Sequence, residues 1–244
     1  MPDFLRTYAR QEYLTPGAAK TVELIAENVA PNETSVLVDV AAGKGEAACT
    51  LAGRFACRVL AVDLFDPFIH YAAAKAWHWN LRDLVTVLRG DGRRLPVRDA
   101  SCDAAYCIGA PSIVGLEECI AELARVVRPN GHVIVSDVVW REKPEELGPE
   151  WGWLADFQPR PSLAEYEKLI VGQRLTTPEV VMFGAEDWEA YWRPTREVAE
   201  AAKTAQPADI SFADDVEQEL DLERRAFERY IDYAAFVARK PERP

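Results

Sequence analysis

Short apolar runs alternate with longer stretches of helical period along most of the chain, a pattern typical of an α/β fold. The runs predict strands at Val36–Val40, Arg58–Asp63, Leu84–Arg89, Asp103–Ile108, His132–Val139, Glu179–Phe183 and Tyr233–Lys240. The helical stretches predict helices at Pro16–Ala30 (with Thr15 as its cap), Phe68–Asn80, Val114–Arg128, Ser162–Gly172, Glu186–Ala205 and Asp214–Arg229. Strands separated by helices predict a mainly parallel sheet covered on both faces.

A turn of small residues follows the first strand. Asp39 lies near the end of that strand, and Ala41, Gly43 and Gly45 follow at every second position. A helical pattern begins after Gly45, so the backbone N–H groups of the turn can face a ligand that larger side chains would hold away. The pattern therefore predicts a ligand site, although a ligand-free turn can have the same small residues.

Acidic residues at the ends of the next two strands favour a ligand site. Asp63 ends the second strand, and Asp91 follows the third between Gly90 and Gly92. Because the carboxyl ends of parallel strands meet at one edge of a sheet, these carboxylates are expected beside the small-residue turn.

These residues, with the DxxxGxGE sequence from Asp39 to Glu46, resemble the class I S-adenosylmethionine-dependent methyltransferases. The chain is similar to a group of small bacterial methyltransferases, over Thr15–Arg141 and the final strand. The resemblance implies a doubly wound, mainly parallel seven-stranded sheet of order 3-2-1-4-5-7-6, with an antiparallel last strand. It also implies S-adenosylmethionine as the cofactor and S-adenosylhomocysteine as its product.

The resemblance assigns roles to several residues. It places Gly43 and Gly45 at the methionine part of the cofactor, Asp63 at the ribose hydroxyls and Asp91 at the adenine amino group. Ala41 stands where the family usually has glycine, and we expect a slightly displaced turn that still binds. The expected cofactor residues are Tyr13, Asp39, Ala41, Gly43, Gly45, Asp63, Leu64, Asp91, Gly92, Cys107, Ile108 and Gly109.

Two other functions compete with methyl transfer. An NAD-dependent oxidoreductase would use a GxGxxG turn, but Ala41 and Glu46 occupy two of the three glycine positions. The Glu46 carboxylate would also stand at the helix start, where the pyrophosphate dianion has to bind. The other is a non-catalytic S-adenosylmethionine-binding sensor or partner protein. A missing ribose or adenine acid would support it, yet Asp63 and Asp91 are both present, and this alternative stays open.

Charge and cysteine content limit the expected binding partners and the expected cellular compartment. The formal net charge is −12, and such a negative field disfavours binding to nucleic-acid phosphates. Five cysteines without a CxxC pair are typical of core thiols in a reducing compartment. Neither a signal sequence nor an apolar run long enough to span a membrane is evident, so we expect a cytoplasmic protein that does not bind membranes.

The second half of the chain is predicted to recognise the acceptor. We expect one domain over 1–244, with a cap segment at 1–30, a cofactor-binding core at 31–139, a lid at 140–230 and the last strand at 231–240. The lid region is rich in aromatic residues, and an aromatic pocket suits apolar or cationic groups. The expected substrate-binding residues are Trp140, Trp151, Trp153, Trp188 and Trp192, and the acidic stretch Ala213–Glu228 is interpreted as a solvated helix face.

The expected reaction is methyl transfer to a small-molecule acceptor by in-line displacement. Such a reaction needs a general base only when the acceptor arrives protonated. Tyr106, Asp137 and His70 are the candidates for that base, and no metal ligands with suitable spacing are evident. Neither the acceptor nor the oligomeric state follows from the sequence.

Overall fold

The computed structural model describes residues 3–144, 151, 161–204 and 207–242. Within these residues the chain forms one seven-stranded sheet of order β3-β2-β1-β4-β5-β7-β6. All neighbouring strands are parallel except β7, which runs antiparallel to both β5 and β6. The strands are β1 Val36–Val40, β2 Arg58–Asp63, β3 Val85–Arg89, β4 Cys102–Ile108, β5 Val127–Trp140, β6 Glu179–Phe183 and β7 Ile231–Arg239. The predicted fold class and strand order are confirmed.

Helices cover both faces of the sheet. They are α1 Asp3–Thr7, α2 Ala18–Val29, α3 Glu46–Phe55, α4 Asp66–His78, α5 Pro111–Val114, α6 Leu116–Val126, α7 Leu163–Gly172, α8 Ala185–Lys203 and α9 Pro207–Arg229. Successive side chains of a strand point to opposite faces, so neighbours on β1 enter different cores. Leu37 packs with Ile25 of α2 and Leu51 of α3, whereas Val38 packs in the core that contains Leu123 of α6 and Ile170 of α7.

A third apolar cluster lies where β7, the end of β5 and α8 meet. It contains Trp140, Trp151, Trp188 and Trp192, together with Phe183 and other aromatic and aliphatic residues. The Trp188 and Trp192 rings are 5.3 Å apart between centroids, and Trp151 packs edge-on against Tyr230 at 5.5 Å. The tryptophans of this region therefore build a core of their own.

Several helix boundaries differ from the prediction. The helix expected over Val114–Arg128 is α6, Leu116–Val126, whereas Val114 ends the short helix α5. Gly115 separates the two helices, because its φ of 117° cannot be part of an α-helix. Thr15 does not cap α2; the residue before that helix is Gly17, which has no side-chain cap. By contrast, Ser162 forms a complete capping box with Glu165 at the start of α7.

Two tryptophans lie outside the cores. Trp77 and Trp79, at the end of α4, are 67% and 45% exposed. All five cysteines are buried and free. No helix within 3–144, 161–204 or 207–242 is long and apolar enough to cross a membrane.

Candidate active-site cleft

A cavity of about 1000 Å³ opens at the carboxyl ends of β1, β2 and β4. This is the edge at which open α/β sheets bind their ligands. Its walls come from two sources: the turns that follow the strands, and a second group of residues from the N-terminal segment, α8, α9 and β7. The volume lies at the upper end of the usual range for ligand pockets, so the cavity has room for more than one small molecule.

The small-residue turn forms one wall through its left-handed backbone. Ala41 and Gly43 have φ values of 55°, and Gly45 has a φ of 75°. A Cβ on Gly45 would lie 2.8 Å from the Ala72 Cβ, so glycine is required there for α3 and α4 to pack. Ala41 shows that this turn tolerates alanine in the left-handed region at a moderate cost, about 1–2 kcal/mol.

Asp63 fastens the turn to the end of β2. Its Oδ2 accepts a hydrogen bond from the Gly43 N–H at 2.8 Å, and its Oδ1 accepts one from the Phe65 N–H at 2.9 Å. The side chain is nearly buried, and removal of water raises the pKa of its carboxyl above the usual value. A carboxylate has about four acceptor sites, so Asp63 keeps capacity to accept hydrogen bonds from a ligand in the cavity.

Asp91 lies on the same edge but is engaged by Arg93. The Arg93 guanidinium donates to both carboxylate oxygens, at 2.6 Å from Nη2 to Oδ2 and 3.0 Å from Nε to Oδ1, and the Arg93 N–H donates to Oδ1. This pairing lowers the pKa of the Asp91 carboxyl. A ligand amino group at Asp91 has to share the carboxylate with Arg93.

The N-terminal segment, here residues 8–15, forms a roof over the cavity. Lys44, between the two glycines of the turn, donates from Nζ to the carbonyl oxygens of Tyr8 and Gln11. The Gln11 side chain in turn donates to the Tyr191 carbonyl on α8 at 2.7 Å. Thr15 donates to the Tyr233 hydroxyl on β7 at 2.5 Å. The roof is thereby bonded to both walls.

The structure brings most of the expected cofactor residues to this cavity. Those that line it are Tyr13, Asp39, Ala41, Gly43, Asp63, Leu64, Asp91, Gly92, Ile108 and Gly109. Gly45 and Cys107 do not line it. Gly45 lies against α4, and the Cys107 side chain is fully buried in the core that also contains Cys119.

Of the three candidate bases, only Asp137 faces the cavity. Tyr106 is fully buried within the sheet, and His70 lies on the exposed side of α4, where its Nδ1 contacts the Asp66 carbonyl at 2.7 Å. The Asp137 carboxylate accepts hydrogen bonds from the Ser112 N–H at 2.9 Å, the Ser112 hydroxyl at 2.6 Å and the Tyr166 hydroxyl at 3.2 Å. All three bonds reach Oδ2, which therefore holds α5 and α7 on the sheet, while Oδ1 accepts a hydrogen bond from the Val138 N–H at 2.8 Å.

The expected aromatic acceptor pocket is mostly a packing cluster. Trp188 lines the cavity, whereas Trp140, Trp151 and Trp192 lie in the apolar cluster without reaching it. Trp153 lies outside the described residues. Next to Trp188, the cavity wall is formed by residues that were not among the expected site residues: Tyr8, Tyr191, Glu219, Glu223 and Tyr233.

Glu219 and Glu223 correct the interpretation of Ala213–Glu228 as a solvated helix face. Both carboxylates line the cavity, one turn apart on α9. The sequence contains a signal for this, because the apolar positions Val216, Leu220 and Phe227 recur at helical spacing and place both glutamates beside the packed stripe.

The cavity is strongly acidic. Among the described residues that line it, two carry positive charge, Lys44 and Arg93, and eight carry carboxylates: Glu12, Asp39, Glu46, Asp63, Asp91, Asp137, Glu219 and Glu223. The two cations are engaged by backbone carbonyls and by Asp91 respectively. Such a lining favours a cationic ligand and disfavours a pyrophosphate.

Comparison with known proteins fits this geometry. The methyltransferase domain family matches residues 38–135. An uncharacterized protein of Haemophilus influenzae is 29% identical over 129 residues, which cover 52% of this chain and 51% of that protein. A malonyl-[acyl-carrier protein] O-methyltransferase of Xylella fastidiosa is 31% identical over 103 residues, which cover 41% of this chain and 34% of that protein. The chain thus matches about half or less of the length of these relatives.

Among solved structures, an SAM-dependent methyltransferase from Geobacter sulfurreducens, in complex with S-adenosyl-L-homocysteine, shares the whole fold. Its TM-score is 0.80 at 20% identity, with 98% of each chain covered. The resemblance seen in the sequence is therefore confirmed at the level of domain and fold. Residues 38–135 thus match the methyltransferase domain family, and the chain has the same fold as this S-adenosylmethionine-dependent methyltransferase of known structure.

Proposed function

We propose that the protein transfers a methyl group from S-adenosylmethionine to a small-molecule acceptor. The observation that carries this proposal is the position of Asp63. Its carboxylate closes the small-residue turn and faces the cavity at the carboxyl end of β2, within the segment that matches a methyltransferase domain. Two relatives in the comparisons are named as methyltransferases, one of them in complex with the demethylated cofactor.

The residues of the cavity suit the proposed cofactor. Asp63 would accept hydrogen bonds from the ribose hydroxyls, and Asp91 would meet the adenine beside Leu64. The turn at Gly43 and the backbone of Ile108 and Gly109 would hold the methionine part. When bound, the cofactor supplies a methyl group on a sulfonium, and its positive charges suit the acidic lining.

The roles proposed for this chain's residues are positioning and enclosure. In-line displacement gains most of its rate from holding donor and acceptor close and aligned. The N-terminal segment covers part of the cavity, and its bonds to Lys44 and Tyr233 fix its position. Asp137 is assigned a positioning role, because its oxygens already accept hydrogen bonds from Ser112 and Tyr166.

A small acceptor is proposed from the enclosure and charge of the cleft. The N-terminal segment lies over a cavity of about 1000 Å³, a size that suits small molecules, and the net charge of −12 opposes phosphate backbones. The division into cap, cofactor core and lid stays a prediction, with the acceptor end formed by α8 and α9 rather than by the tryptophans as a group.

Calorimetry tests the cofactor. We expect saturable binding of S-adenosylmethionine and S-adenosylhomocysteine, and none of NAD. Asp63→Ala removes acceptors for two hydroxyls and the brace of the turn, so affinity should fall about one to two decades, at roughly 1.4 kcal/mol per decade. Asp66→Ala is the matched control, because that acid is exposed and outside the cavity. Equal binding by Asp63→Ala and the parent would refute the ribose role.

Transfer itself is tested with labelled S-adenosylmethionine and a metabolite library, followed by mass spectrometry of the products. A methylated product that disappears in Asp63→Ala supports the enzyme. Tight cofactor binding with no product from any library fraction supports the alternative of a non-catalytic sensor or partner protein.

A further inference from the structure

The end of the cavity away from the small-residue turn has its own chemistry. Its wall combines three aromatic rings, Tyr8, Trp188 and Tyr191, with two carboxylates, Glu219 and Glu223. These residues come from the N-terminal segment, α8 and α9, and none of them belongs to the segment that matches the methyltransferase domain.

The contacts hold these groups in place. The Glu223 carboxylate accepts a hydrogen bond from the Trp192 Nε1–H at 3.0 Å, which fixes its direction on α9. The hydroxyls of Tyr8 and Tyr191 are hydrogen-bonded to each other, and burial together with the nearby glutamates raises the pKa of both phenols. The two rings are therefore neutral at physiological pH, with their π faces intact.

Glu219 is the more adaptable of the two carboxylates. Its side chain is accessible through the open cavity, yet the surrounding protein withdraws water from it, and this desolvation raises the pKa of its carboxyl. A cation in the cavity would offset that loss of hydration. Among the described residues, Lys44 and Arg93 are the cationic side chains that line the cavity. Lys44 reaches this end, but its ammonium group is held by the backbone carbonyls of Tyr8 and Gln11. Arg93 is paired with Asp91.

Trp188 is the most buried of the three aromatic rings. Its side chain is 2% exposed and still lines the cavity, and it packs against Tyr191 with the ring centroids 6.4 Å apart. This packing holds the ring at the cavity wall.

We propose that this end of the cavity binds an alkylammonium group, so that the acceptor is a small organic cation. Aromatic faces attract ammonium groups, and the attraction rises when both partners are desolvated. Two carboxylates at the same place add a charge that a neutral or anionic molecule cannot use. This proposal deepens the proposed function. That the cation is a methyl acceptor rests on that function, whereas the binding of the cation at this end of the cavity does not.

The test compares two probes of one shape. Choline has a trimethylammonium head and a hydroxyl, and 3,3-dimethylbutan-1-ol replaces the charged nitrogen by carbon. Each is titrated calorimetrically into the protein saturated with S-adenosylhomocysteine, at matched ionic strength, and again without it. We expect choline to bind at least tenfold more tightly than the alcohol. Equal affinities for the two probes, or binding of neither, would overturn the proposal.

Variants locate the site. Glu219→Gln and Glu223→Gln remove the negative charge but keep the shape and a hydrogen-bonding oxygen. Each variant should therefore bind choline about tenfold more weakly and bind the alcohol with unchanged affinity. Glu228→Gln on the same helix is the control, because it pairs with Arg224 at the surface. Loss of choline binding in the control, or unchanged binding in Glu219→Gln/Glu223→Gln with a parental melting temperature, counts against the site. If S-adenosylhomocysteine fails to bind while choline keeps its preference, the proposed function fails and the cation site stands.

Discussion

The two walls of the cleft are built by different means. The wall from β1, β2 and the turns after them presents backbone N–H groups and strand-end carboxylates, and the sheet itself sets their positions. The wall from α8, α9 and the N-terminal segment presents whole side chains, which a separate aromatic cluster holds in place. The first kind suits a cofactor shared by many proteins, whereas the second can change with the acceptor while the sheet stays the same.

The largest expected effect tests what supports the second wall. Trp192→Ala removes a buried ring of the aromatic cluster and the hydrogen bond to Glu223, and it should cost roughly 3–5 kcal/mol of unfolding free energy. Thermal melting should show a Tm lower by on the order of 10 °C. S-adenosylhomocysteine should still bind below the transition, because Trp192 is absent from the cavity lining.

Trp77→Ala is the control for this variant, since that ring is 67% exposed. It should change stability by about 0.5 kcal/mol or less. A Trp192→Ala protein that melts with the parent, or one that loses the cofactor while folded, would erase the distinction between the walls.

A smaller effect separates two glycines within the first wall. Gly45→Ala places a Cβ 2.8 Å from the Ala72 Cβ in a left-handed backbone, and should cost roughly 2–4 kcal/mol of stability. Gly43→Ala meets only the movable Leu14 Cδ1 at 3.3 Å, so its cost should be about 1–2 kcal/mol, as for Ala41.

Denaturant unfolding and calorimetry distinguish these two variants. Because Gly43 lines the cavity and Gly45 does not, Gly43→Ala should be the variant with the larger loss of cofactor affinity relative to its loss of stability. The reverse order would mean that the turn contacts the ligand through Gly45.

The smallest expected effect concerns Arg93. Its ion pair with Asp91 is largely exposed, so Arg93→Ala should change the unfolding free energy by about 0.2–1 kcal/mol. The variant also removes the cation that lowers the pKa of Asp91, so that carboxyl would protonate at a higher pH as the solution is acidified. At neutral pH the Asp91 carboxylate stays ionised, and its oxygens no longer accept hydrogen bonds from a guanidinium group.

Cofactor affinity at neutral pH then tests the adenine role of Asp91. Arg93→Ala should bind S-adenosylhomocysteine at least as tightly as the parent, and Asp91→Asn less tightly. Weaker binding by Arg93→Ala would assign the contact to the guanidinium instead.

The sequence predicted the first wall well because its signals are local. Apolar runs located the seven strands, and β6 has the expected bounds, Glu179–Phe183. Strand-end acids identified Asp63 and Asp91, since parallel strands bring their carboxyl ends together. The strand order came from the resemblance and was confirmed.

The second wall was poorly predicted because its positions depend on tertiary packing. Tryptophan content suggested an acceptor pocket, but a large apolar ring lowers the free energy most when it is buried in a core. Of the four lid tryptophans that the structure describes, Trp188 alone also reaches the cavity. Glu219 and Glu223 looked like surface charges because the face that α9 turns inward depends on its packing with α8. A tyrosine such as Tyr191 has no local mark that separates a wall residue from a core residue.

Lys44 has a consequence beyond its place in the turn. Its ammonium group joins the loop under the cofactor to the carbonyls of the segment above it. The small-residue turn and the N-terminal segment are thus connected through the flexible side chain of Lys44. A displacement of the N-terminal segment away from the cavity would therefore have to break the Lys44 hydrogen bonds or draw the glycine turn with it.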